Sequence, residues 1–150
     1  MNIYHMIIYI LLVIMAVCDH RKMEIPVILI FAGITVSVTG VISNLVTNRF
    51  ELISITYAFV PGIILLIIHV IFPQKIGIAD GITMIIALLG LSVWRVYLSL
   101  LCIALISFLV ALVLAIKWKG LARVIPFVPI ITVGHILAGV IDLYWRSGNV

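Results

Sequence analysis

The chain has 150 residues, 66% of them hydrophobic and 9% charged, with a net charge of +4 and a mean hydropathy of +1.46. A soluble domain carries about a quarter charged residues, so this composition excludes a soluble globular enzyme and predicts an all-α integral membrane protein. A surplus of four positive charges among so few argues against a nucleic-acid partner and for a role in setting membrane topology. Cys18 and Cys102 stand alone, without CxxC or histidine-rich spacing. Neither a zinc site nor a disulfide framework is indicated.

A transmembrane helix takes roughly 20 apolar residues, with about 17 to 25 tolerated. On that measure six spans are expected, at about 3–18, 25–43, 52–72, 77–94, 96–116 and 126–144. The first is read as a retained helix, since no Lys or Arg precedes it as in a signal peptide. It is expected to end in the polar cluster Asp19-His20-Arg21-Lys22-Met23-Glu24. Span two starts near Ile25-Pro26 and carries Gly33, Ser37 and Gly40, small residues that let a neighbouring helix approach closely. Span three contains Pro61-Gly62, an expected kink. Spans four and five are separated only by Arg95. A straight helix of about 40 residues would reach about 60 Å, twice the hydrocarbon thickness, so the chain is expected to turn near Trp94-Arg95. Span six opens with Pro126 and Pro129. No internal repeat or second domain is evident, and residues 1–150 read as one polytopic domain.

Loops after spans one, three and five hold Arg21, Lys22, Lys75, Lys117, Lys119 and Arg123, whereas the opposite side holds Arg49, Arg95 and Arg146. The positive-inside rule then places both termini outside, an N-out/C-out arrangement. Asp19 and Asp80 come to the same cytoplasmic interface. An acid at the mouth of a membrane helix is costly unless solvated, paired or useful. Two carboxylates sharing a site do not both ionise easily: one keeps a proton while the other stays charged. The charged one can take a proton from a water attacking a peptide carbonyl, and the protonated one can polarise that carbonyl. Gly77, Ala79 and Gly81 beside Asp80 leave room for a substrate backbone.

Each carboxylate also has a plainer reading. Asp19 can be a helix-end charge paired with Arg21 or Lys22, and Asp80 can cap span four. Glu24 and Glu51 read as interfacial charges, Asp142 as a partner of Arg146, and His69 and His135 as structural histidines. His20 reads as a solvated loop residue, and Trp94, Trp118, Tyr144 and Trp145 as belt residues at the membrane surface.

Three stretches together resemble the type IV prepilin peptidases, aspartic membrane proteases of the GxGD kind. Asp19 followed by Ile25-Pro26 is similar to the family's D-x5-I-P-N, with Val27 where Asn is usual. Gly77-Ile78-Ala79-Asp80 is similar to its G-x-G-D-x-K, with Ala79 for the second Gly and Ile82 for the Lys. Ile125-Pro126-Phe127-Val128-Pro129 is similar to its I-P-F-x-P before the last helix. The resemblance implies Asp19 and Asp80 as catalytic residues, and a prepilin or pilin-like substrate cleaved at the cytoplasmic face of a prokaryotic plasma membrane. It also implies the short, peptidase-only form, without the methyltransferase segment and without S-adenosylmethionine, so no cofactor is expected. Substrate identity, the pilus, secretion or competence system served, and oligomeric state are not encoded in these motifs. Competing readings are an inactive relative acting as a membrane scaffold and a small transporter subunit.

Overall fold

The computed structural model describes residues 3–46, 52–73, 76–117 and 126–148. Among them the structure is all helical: α1 (Ile3–Lys22), α2 (Val27–Val46), α3 (Leu52–Ile71), α4 (Ile78–Leu88), α5 (Val93–Lys117) and α6 (Val128–Gly148). Five of these are long and apolar enough to cross a membrane; α4, with 11 residues, is not. The architecture is that of a multi-pass membrane protein.

Two boundaries depart from the sequence expectation. The polar cluster after Cys18 is not a loop: α1 runs on through Asp19 to Lys22. Nothing in that stretch breaks the backbone ladder, and His20, Arg21 and Lys22 suit the negative end of a helix dipole. The helix stops where Met23 takes a positive φ of 54°, its N–H bonded to the Asp19 carbonyl at 2.8 Å. The reversal expected at Trp94-Arg95 lies instead at Leu88–Leu91, a tight turn closed by the Leu91 N–H on the Leu88 carbonyl at 3.2 Å. Leu89 is extended (φ −66°, ψ 131°) and Gly90 has φ 85°, the type II pattern that favours glycine at the third position. The expected span 77–94 is therefore a short helix and a turn, and Arg95 belongs to the first turn of α5.

Backbone outside a helix is tolerated at membrane depth only where protein covers it. Leu89, Gly90 and Leu91 are all buried, and the Asn44 side-chain amide donates to the Gly90 carbonyl at 3.3 Å. Around this turn α4 packs against α1, α2, α3 and α6. Leu12 and Met15 of α1, Ile86 and Leu88 of α4, and Val128 and Ile131 of α6 are fully buried between them.

Small residues set the approach of α4. Gly33 of α2 lies against Ile86 and Met15, and the Ser37 hydroxyl donates to the Ile86 carbonyl at 3.0 Å. On α3, which continues helically through Pro61, Gly62 faces Gly81. A Cβ on Gly81 would come within 2.7 Å of Leu66 Cγ and 3.0 Å of the Gly62 carbonyl oxygen. The first turns of α4 are held tightly on α3, and that contact positions Asp80.

Candidate active site

Asp19 sits one turn before the end of α1, and Asp80 lies in the first turn of α4. Each is only 8% exposed. The two are close enough for the charge on Asp19 to act on Asp80. Elements separated by 60 residues of chain are thus folded so that α1 and α4 are in contact and two buried carboxylates come within electrostatic reach.

Both aspartates hold the start of a helix. The Val128 N–H, first in α6, donates to Asp19 Oδ2 at 3.2 Å. The Gly77 N–H donates to Asp80 Oδ2 at 2.8 Å. These N–H groups have no partner within their own helices, and a carboxylate accepting them is charge-assisted. Asp80 supplies half of a capping box; the reciprocal half needs a side chain that Gly77 lacks. Capping, the plainer reading of Asp80, is therefore a real role of both residues. Asp19 is not the exposed helix-end charge of its alternative reading, since it is buried against α6. No salt bridge engages either carboxylate among the described residues.

The three small residues expected to line the substrate path differ in setting. Gly77 is exposed, and Ala79 is half-buried and packs against the core. Gly81 is buried and packs on α3, where a Cβ would meet Leu66. The Gly77 backbone has φ −81° and does not require glycine. His69, near the end of α3, bonds through Nδ1 to the Ile76 carbonyl at 2.5 Å and ties down the segment entering α4. Beside Asp19, α1 and α6 border an apolar groove of about 470 Å³ lined by Val13, Ala16, Val17, Thr132 and Val133, with His20 and Arg21 at one end. Neither carboxylate lines it. Arg49, Glu51, Lys75, Trp118, Lys119 and Arg123 lie outside the described residues.

A second polar cluster occupies the other end of α6. Asp142, 2% exposed, accepts from Arg95 Nε at 2.8 Å and from Arg146 Nε at 3.3 Å, and its Oδ2 lies 2.6 Å from Arg95 Nη2 in an ion pair. Two turns earlier, buried His135 shares a hydrogen bond of 3.2 Å with Ser99 and packs its ring 5.0 Å from that of Tyr9. The Tyr9 hydroxyl rests on Gly139, where any side chain would collide with it. The Asp142–Arg146 pairing agrees with the i,i+4 spacing. Arg95 as its main partner was hidden, because the contact joins residues 47 apart.

No family model matches this chain, and comparison with curated proteins and with solved structures finds nothing similar to it.

Proposed function

We propose that this chain is a membrane-embedded aspartic endopeptidase that removes the leader peptide of a prepilin or pilin-like protein at the cytoplasmic face of a prokaryotic plasma membrane. In this reading the chain passes the membrane six times with both termini outside. The observation that carries the proposal is the pairing of Asp19 and Asp80, two buried carboxylates within electrostatic reach and without a salt bridge among the described residues.

Such a pair shares a proton, since like charges in a desolvated site do not both persist. The ionised member accepts a proton from water as its oxygen attacks the scissile carbonyl carbon. The protonated member donates to the carbonyl oxygen, and a proton then passes to the leaving amine as the C–N bond breaks. The titration belongs to the pair rather than to either residue. The backbone N–H groups of Gly77 and Val128 fix one oxygen of each carboxylate, orienting the other for chemistry. Gly77 and Ala79 leave the approach to Asp80 narrow in side chains, and the apolar groove between α1 and α6 suits the apolar part of a membrane-anchored substrate.

The capping bonds favour a second reading, a non-enzymatic scaffold in which both acids only hold helix starts. Asparagine separates the two, because it caps a helix about as well as aspartate but cannot exchange the proton. Co-expression with a prepilin-like substrate, with Asp19→Asn and Asp80→Asn alongside, decides between them. Leader cleavage that vanishes in both variants at equal protein level supports the peptidase. Cleavage surviving both substitutions overturns the dyad, and no cleavage by the unsubstituted protein favours the scaffold.

A further inference from the structure

Thr83 is fully buried, and its Oγ1 is the one buried side-chain polar atom without a hydrogen-bond partner among the described residues. The other buried hydroxyls among the described residues are engaged. Ser37 donates to the Ile86 carbonyl, Thr132 to the Val128 and Leu12 carbonyls, and Ser99 pairs with His135. Even the exposed Thr35 and Thr39 bond back to the carbonyl four residues earlier, at 2.9 and 2.7 Å. That bond is the ordinary resting place of a helical threonine. For Thr83 the corresponding acceptor is the Ala79 carbonyl, and it is not used.

An unsatisfied buried hydroxyl costs roughly 1–3 kcal/mol, and this one stands in a particular place. Thr83 is three residues after Asp80, and positions three apart are neighbours on one helix face. Helical side chains lean toward the N-terminus, so Thr83 covers the turn that carries Asp80. Asp80 in turn commits Oδ2 to the Gly77 N–H. A water held in a protein interior needs two to four polar partners. The Thr83 hydroxyl and the Asp80 carboxylate, one turn apart on the same helix face, supply two partners of that kind.

We propose that Thr83 is a positioning residue, its hydroxyl holding the attacking water against the Asp80 carboxylate. This rests on the aspartic peptidase reading and adds to it a residue outside the motifs that suggested it. The water oxygen forms the new bond to the scissile carbon, and one water proton goes to the ionised carboxylate. Thr83 neither gains nor loses a proton over the reaction.

The test compares Thr83→Val, which keeps the shape and removes the hydroxyl, with Thr83→Ser, which keeps the hydroxyl. Kinetics of leader cleavage are measured beside thermal unfolding in detergent. The expected result for Thr83→Val is a kcat lower by about 10²-fold, with KM unchanged and with a Tm equal to or above that of the unsubstituted protein, because no protein hydrogen bond is lost. Thr83→Ser should retain kcat within a few-fold. A Thr83→Val protein that cleaves at the unsubstituted rate overturns the assignment while leaving the dyad intact. Equal losses in both variants with a lowered Tm also overturn it, by showing a packing role. An unsubstituted protein that cleaves nothing removes the peptidase reading itself, and the role of Thr83 with it.

Discussion

Buried aspartates stand at the two ends of α6, Asp142 on the helix itself and Asp19 reaching its start from α1, in opposite electrostatic settings. Asp142 is saturated by two arginines, one of them mostly covered by protein. Asp19 holds a backbone N–H and lies within electrostatic reach of another carboxylate. A buried acid that is fully paired has nothing left to exchange, so it fixes helices in register. A buried acid placed beside a second acid is electrostatically unfavourable, and such an arrangement is typical of proton transfer. The same residue type in the same helix bundle therefore supports architecture at one end and, in the proposed function, chemistry at the other.

Substitutions can break this contrast, the largest effects first. Asp19→Asn and Asp80→Asn should each lower leader cleavage by about 10²–10⁴-fold while membrane accumulation, followed by immunoblot, stays unchanged. Asp142→Ala should act the other way round, leaving Arg95 without its counter-ion. The expected loss is about 3–5 kcal/mol of stability, read as a fall in the detergent unfolding midpoint. If Asp142→Ala stayed stable yet lost cleavage, the division between the two ends would fail. Gly134→Ala should sit lower on the scale, at about 1–3 kcal/mol from overpacking, since the new Cβ would lie 2.8 Å from Ile103 Cα. Gly77→Ala, whose Cβ meets nothing closer than 3.4 Å, provides the control. Smallest is Ser99→Ala, expected to lose about 1 kcal/mol with its bond to His135 and to leave the cleavage rate as it was.

Much of this was readable from the chain, but unevenly. The apolar runs foretold the helices because lipid and protein interior alike demand apolar surface and a self-satisfied backbone. The small residues Gly33, Ser37 and Gly40 foretold the face on which other helices pack: Ile86 and Met15 at Gly33, Tyr4 at Gly40. Asp80 stood out through its neighbours, and Asp19 through its spacing to Ile25-Pro26. Arg95, the one charge between two apolar runs, points to a turn at Trp94-Arg95, whereas the chain turns at Leu88–Leu91. Gly90 was the better signal, a helix-stopping residue within an apolar run. Arg95 could stay inside because Asp142 neutralises it, and a pairing that distant leaves no periodic trace. Thr83 was invisible for a related reason: its sequence neighbours are ordinary, and only the three-dimensional census of hydrogen bonds singles it out.

The brevity of α4 bears on how the protein is made. Eleven residues are too few to partition into the bilayer as an independent segment during synthesis. In the folded chain the helix lies on the surfaces of α2 and α3, and its buried turn is held further by the Asn44 amide on the Gly90 carbonyl. Asp80 would then join Asp19 late in biogenesis, and α6, whose first N–H Asp19 accepts, arrives last of all. A nascent chain halted before α6 would lack the N–H that Asp19 accepts, so in the proposed function the site would be finished only once α6 has packed.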